Sequence, residues 1–136
     1  MILRTLLLLC LAAFATAATA EPLTIRVGES WAFSVRNGQP VGAHRVKPAA
    51  KPGRGEIKAT VTSLGGTTMT LTNNSATSYT FRAELFGVRS KAAPRTCTLP
   101  PNMKPALEYW PQKAAAVRLG NFRATTDAGS CPTPGN

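Results

Sequence analysis

Thr68-Met69-Thr70-Leu71-Thr72-Asn73-Asn74-Ser75, continuing into Tyr79-Thr80-Phe81-Arg82-Ala83-Glu84-Leu85-Phe86, is the stretch whose reading decides the fold. Met69 and Leu71 alternate with Thr68, Thr70 and Thr72, and Tyr79, Phe81, Ala83 and Leu85 alternate with polar neighbours. A period of two puts successive side chains on opposite faces, so each segment reads as a strand with one buried face. Asn73-Asn74-Ser75 supplies the reversal between them, because short polar side chains bond to their own backbone and tolerate tight turns. The stretch therefore predicts a hairpin.

The same pattern continues toward the N-terminus. Ile57, Ala59 and Val61 alternate with Lys58, Thr60 and Thr62, and Gly65-Gly66 turns the chain toward Thr68. Trp31, Phe33 and Val35 form another alternating set and are expected in the core. Asn37-Gly38 then suits a two-residue turn with positive φ, and residues 41–46 read as the return strand. Leu23, Ile25 and Val27 give a first strand. Between the return strand and Ile57, residues 47–55 hold two prolines and two glycines; proline cannot donate to a ladder, so a mobile loop is expected.

Toward the C-terminus, Gly87 leads into a basic stretch ending at Arg95, then into Thr96-Cys97-Thr98-Leu99. Pro100, Pro101, Pro105 and Pro111 break up the next segment, which leaves Tyr109 and Trp110 in a proline-rich connection. Residues 114–122 suit a final strand, and residues 125–136 read as a Gly/Pro-rich tail. About seven or eight short strands with no convincing helix describe an all-β domain over residues 21–124, a two-sheet sandwich or a small barrel, and the small antiparallel β-sandwich is the favoured reading. The run from Thr68 to Phe86 resembles the central hairpin of immunoglobulin-like domains found in exported bacterial proteins. That resemblance covers only this run and implies an architecture. The cysteines depart from the immunoglobulin pattern, since Cys97 lies after the hairpin and Cys131 in the tail.

Residues 1–20 read as a secretory signal. Arg4 gives a short positive region, Leu6 to Ala13 an apolar one, and Ala18-Thr19-Ala20 the small-x-small pattern before Glu21. The apolar run is too short for the roughly 20 residues that span a bilayer, so no transmembrane segment is expected after cleavage. Lipidation at Cys10 would need a small residue before it, and Leu9 is there. Removal of residues 1–20 from 136 would leave 116 residues, with the charge falling from +10 to +9 as Arg4 is lost. Only Cys97 and Cys131 would remain, and a cysteine pair in an exported chain predicts one disulfide that pins the tail. The expected destination is the periplasm or the medium.

Catalytic signatures are sparse. There is no nucleophile-elbow, phosphate-loop or zinc-protease motif. Tyr109 and Lys113 match a dehydrogenase spacing, but Pro111 between them disrupts the helix that spacing needs. Glycoside hydrolysis requires two carboxylates flanking a cleft, whereas Glu29, Glu56, Glu84, Glu108 and Asp127 are scattered in sequence. His44, Met69 and Met103 are isolated, so neither a metal nor a cofactor is expected. The reading is of a protein that is not an enzyme.

Charge is the strongest remaining signal. Arg26, Arg36, Lys58, Arg82 and Arg118 all alternate with apolar residues and should be solvated. Two acid-free clusters are candidate binding sites, Arg45, Lys47, Lys51 and Arg54 in one, Arg89, Lys91 and Arg95 in the other. Such patches attract anions in a salt-dependent way. Neither interleaves aromatics for base stacking, so specific nucleic-acid binding is not expected. Tyr109 and Trp110 are the other candidates, either as a recognition surface or with Trp110 plugging one end of the sandwich. These features suggest an exported binding or accessory protein of the bacterial envelope, contacting an unknown protein or an anionic envelope component. The alternatives are an inhibitor or immunity-type protein that blocks an enzyme through the Leu99 to Pro111 segment, and a small cell-wall hydrolase.

Overall fold

The computed structural model describes residues 20–89, 96–127 and 129–131. Eight strands run in chain order: β1 Leu23–Arg26, β2 Ser30–Arg36, β3 Gln39–Arg45, β4 Ile57–Thr62, β5 Thr67–Asn73, β6 Ser78–Phe86, β7 Ala106–Trp110 and β8 Ala116–Thr125. They form a three-stranded sheet in the order β1-β8-β6 and a five-stranded sheet in the order β3-β2-β4-β5-β7. Every pairing is antiparallel. The expected all-β sandwich is the fold, with no helix among the described residues.

The core lies between the sheets and is built from the predicted alternation. Ile25, Val117, Leu119, Phe81 and Ala83 face inward from the three-stranded sheet, and Phe33, Ile57, Ala59, Val61, Met69 and Leu71 from the other. Phe122 sits at their centre, 5.6 Å from the rings of both Phe33 and Phe81 and 6.0 Å from that of Tyr79. Each fully buried side chain of this size contributes ~1.5–3 kcal/mol relative to exposure. A bulge brings Phe122 there. Arg82 pairs with Gly120 and Thr80 with Arg123, so Asn121 and Phe122 together oppose the single residue Phe81. Asn121 takes a φ of 54°. Without that extra residue, strict alternation from inward Leu119 would turn Phe122 to solvent.

The Asn37-Gly38 turn forms as expected, with φ of 51° and 77°. Its backbone then docks across the sandwich, as Phe122 N–H donates to the Gly38 carbonyl at 2.7 Å. The expected disulfide joins Cys97 and Cys131. Leu99 exchanges both backbone bonds with Tyr79, and Thr98 N–H donates to the Ser130 carbonyl at 2.8 Å. The Cys97 segment is thereby held on the β6 edge, with Ser130 and Cys131 fastened to it.

Four expectations are corrected. β5 and β6 are not a hairpin, because β5 pairs with β4 and β7 on its two sides and leaves β6 no edge to join. The chain crosses instead to the other sheet through a corner locked by the buried Asn73 amide, which donates to the Thr77 and Pro100 carbonyls at 2.7 and 3.2 Å. Residues 106–110 are strand β7 rather than an irregular connection, with Pro105 and Pro111 just outside it where their missing N–H groups cost no ladder bond. Residues 47–55 form the expected loop, and hydrogen bonds hold it: Lys58 Nζ donates to the carbonyls of Pro48 and Ala50, Asn74 donates to that of Pro52 at 3.0 Å, and Pro52 is buried. Lys58 is thus a strut under this loop and not a solvated strand cation. Trp31, expected in the core, is half-buried at its margin, with its indole N–H on Glu29 at 2.7 Å.

Candidate functional site

The outer face of the three-stranded sheet gathers arginines from distant points in the chain. Inward Ile25, Val117 and Ala83 fix the register, so their strand neighbours turn outward. Arg26, Arg82 and Arg123 are exposed and Arg118 is half-exposed. Thr24, Arg118 and Glu84 form one cross-strand row, and Gly120 and Arg82 pair in the next. The face carries one carboxylate among its outward strand positions, Glu84, and Arg118 engages it through Nε at 2.9 Å and through Nη2. The Arg118 guanidinium also lies 5.0 Å from the Phe86 ring centroid. Among the described residues, Arg26, Arg82 and Arg123 have no ion-pair partner.

A hollow of about 150 Å³ opens in this face around Gly120, lined by Pro22, Gln39, Arg82, Glu84, Arg118 and Asn121. Gln39 belongs to the five-stranded sheet, and the docked Asn37-Gly38 turn carries it over. Its Oε1 is buried without a hydrogen-bond partner among the described residues.

The candidates taken from the sequence are distributed differently. Arg45 pairs with Glu29 at 3.3 Å and lies 5.9 Å from the centroid of Trp31. The Glu29 carboxyl is held below its ordinary range, first by the Trp31 bond, with burial opposing it and the Arg26 N–H and the Arg45 and Arg26 charges reinforcing it. Lys47, Lys51 and Arg54 are exposed. Arg89 is exposed beside Gln112 and Lys113, while Lys91 and Arg95 lie outside the described residues. Trp110 is buried in the core, whereas Tyr109, next to it, is 54% exposed on the outer face of the five-stranded sheet with Leu107. The structure does not bring the seven described residues among them into one site.

Sequence reasoning missed Arg123 and the Gly120 hollow. Arg123 comes after the bulge, so simple alternation does not place it. In the sequence Gly120 reads only as part of the final strand. The signal available was Gly120-Asn121, a pair suited to a bulge within an otherwise apolar strand.

Glu108, the remaining buried carboxylate, points inward from β7 and accepts the Cys97 N–H at 2.7 Å. Burial raises its pKa, an effect the Cys97 bond only partly offsets. Among the described residues no three His, Cys, Asp or Glu side chains converge, and no helix is long and apolar enough to cross a membrane. No family model, curated protein or solved structure matches the chain.

Proposed function

We propose that the protein is an exported, non-catalytic binding or accessory protein of the bacterial envelope, and that it meets an anionic component through the arginine face of its three-stranded sheet. The observation that carries this reading is the gathering of Arg26, Arg82, Arg118 and Arg123 on one face whose single strand carboxylate is already engaged by Arg118. Clustered cations around a low-dielectric surface raise the local potential and speed capture of oppositely charged partners. Exposed Lys47, Lys51 and Arg54 add charge elsewhere on the molecule. The signal-like residues 1–20 support export.

The test is retention of the protein, from Glu21 onward, on immobilised lipopolysaccharide at rising salt. Retention should be strong at low ionic strength and fade as the Debye length falls from ~10 Å at 0.1 M to ~3 Å at 1 M. Arg82→Glu with Arg123→Glu should weaken it far more than Lys47→Glu with Lys51→Glu. Retention that ignores both salt and the arginine pair would overturn the reading. One observation favours a second reading, a protein partner: Leu107 and Tyr109 are 65% and 54% exposed side by side on β7. An inhibitor would use that pair, and Tyr109→Ala would then abolish capture of its target.

A further inference from the structure

We infer that the hollow over Gly120 is a discrete site for one anionic sugar residue, with the Arg82 guanidinium taking its carboxylate or phosphate. This rests on the reading of the arginine face as the contact surface, and it adds a shaped site to what would otherwise be diffuse charge.

The floor of the hollow is Gly120, whose bare Cα lets the Gln39 amide and Pro22 pack directly onto it. A Cβ there would lie 2.7 Å from Gln39 Oε1 and 3.4 Å from Pro22 Cβ. Its volume of about 150 Å³ equals roughly five waters at ~30 Å³ each, which suits one sugar ring. The lining offers complementary chemistry. Arg82 is a forked donor that matches carboxylate or phosphate oxygens. Glu84 is an acceptor fixed in place by Arg118, and Gln39 and Asn121 contribute amides. Pro22 gives an apolar wall.

An isolated carboxylate or phosphate would satisfy only the guanidinium groups and would leave Glu84 and the amides of the lining without a ligand partner. A sugar hydroxyl both donates and accepts, so it can satisfy Glu84 and the amides while the C–H face of the ring lies against Pro22. The buried, unpaired Gln39 Oε1 points the same way. An acceptor left without a donor is unfavourable, and a ligand hydroxyl that draws the Gln39 amide off Gly120 would supply one.

The experiment is titration of the protein, from Glu21 onward, with glucuronic acid, glucose 6-phosphate and glucose, monitored by NMR shifts and calorimetry. Both anionic sugars should bind, and glucose at least ~10-fold more weakly, as loss of a charge-assisted pair requires. Arg82→Gln should cost at least ~10-fold. Gly120→Ala is the sharper variant. It keeps every charge, and no positive φ opposes it; its Cβ pushes the Gln39 amide into the hollow. It should abolish sugar binding with unchanged retention on lipopolysaccharide and an unchanged near-UV spectrum.

Binding of only one anionic sugar identifies carboxylate or phosphate as the group recognised. Equal binding of glucose, wild-type affinity in both variants, or no binding of either anionic sugar overturns the site while leaving the arginine face standing. Loss of lipopolysaccharide retention in the unmodified protein overturns the reading beneath it.

Discussion

Adjacent residues on β7 have opposite fates, and the difference is testable one side chain at a time. Trp110 faces the core and Tyr109 faces solvent, so Trp110→Ala should cost ~3–5 kcal/mol of stability. Tyr109→Ala should change it by less than ~0.5 kcal/mol. Urea-unfolding midpoints separate the two, and similar losses would contradict the β7 register. Glu108, between Leu107 and Tyr109, is a carboxylate whose folded pKa is raised by burial. The folded chain then holds a proton that the unfolded chain has released, in the window between the ordinary and the raised pKa. Stability from this group therefore falls as pH rises through that window and stays low above it. Glu108→Gln keeps an acceptor for the Cys97 N–H and removes the charge, so it should stabilise the protein at neutral pH and converge with wild type in acid. Thermal unfolding from about pH 4 to 8, a range that brackets a carboxyl raised from ~4.3, shows this directly.

At the scale of elements, one device docks a turn across the two sheets and another pins an end segment. One is the β2–β3 turn, whose Gly38 adopts φ of 77° and would place a Cβ 3.2 Å from the Phe122 carbonyl. Gly38→Ala combines that strain with a disturbed docking bond, and should cost more than the ~0.4–1 kcal/mol by which alanine stabilises a compatible site. It should also disturb sugar binding at the hollow, because the same turn delivers Gln39. The other is the disulfide, which closes a sequence separation of 34 residues. Loop-closure entropy gives it about 4 kcal/mol. Reduction should lower the melting temperature accordingly and should release the tail beyond Thr125 first, visible as early hydrogen exchange at Thr98, whose N–H bonds to Ser130. The same scale shows where sequence reading slips. Alternation identifies β5 and β6 as strands, yet the hairpin it suggests does not form, because nothing local in Asn73-Asn74-Ser75 says whether the chain folds back in its own sheet or crosses to the other. β7 escapes the same reading because prolines flank it. Proline excludes itself from a ladder and not its neighbours, and Ala106, Glu108 and Trp110 do alternate inward with Leu107 and Tyr109 outward.

For the whole molecule, the sequence by itself determined the strand chemistry, the two-sheet class, the turn at Asn37-Gly38 and the cysteine pair. All of these come from rules that act over a few residues or, for the cysteines, from simple arithmetic. It also determined that the chain is strongly basic, with 16 Lys and Arg against 6 Asp and Glu. Only the tertiary structure decided where that charge concentrates. Arg26, Arg82, Arg118 and Arg123 are spread over almost a hundred positions and come to share one sheet face because β8 pairs with β1 on one side and β6 on the other. The acid-free loop that stood out in sequence is partly spent internally, with Arg45 on Glu29 and neighbouring carbonyls gathered by Lys58. A candidate surface of this kind depends on long-range pairing and on a single bulge at Asn121, and local periodicity carries no information about which edges meet.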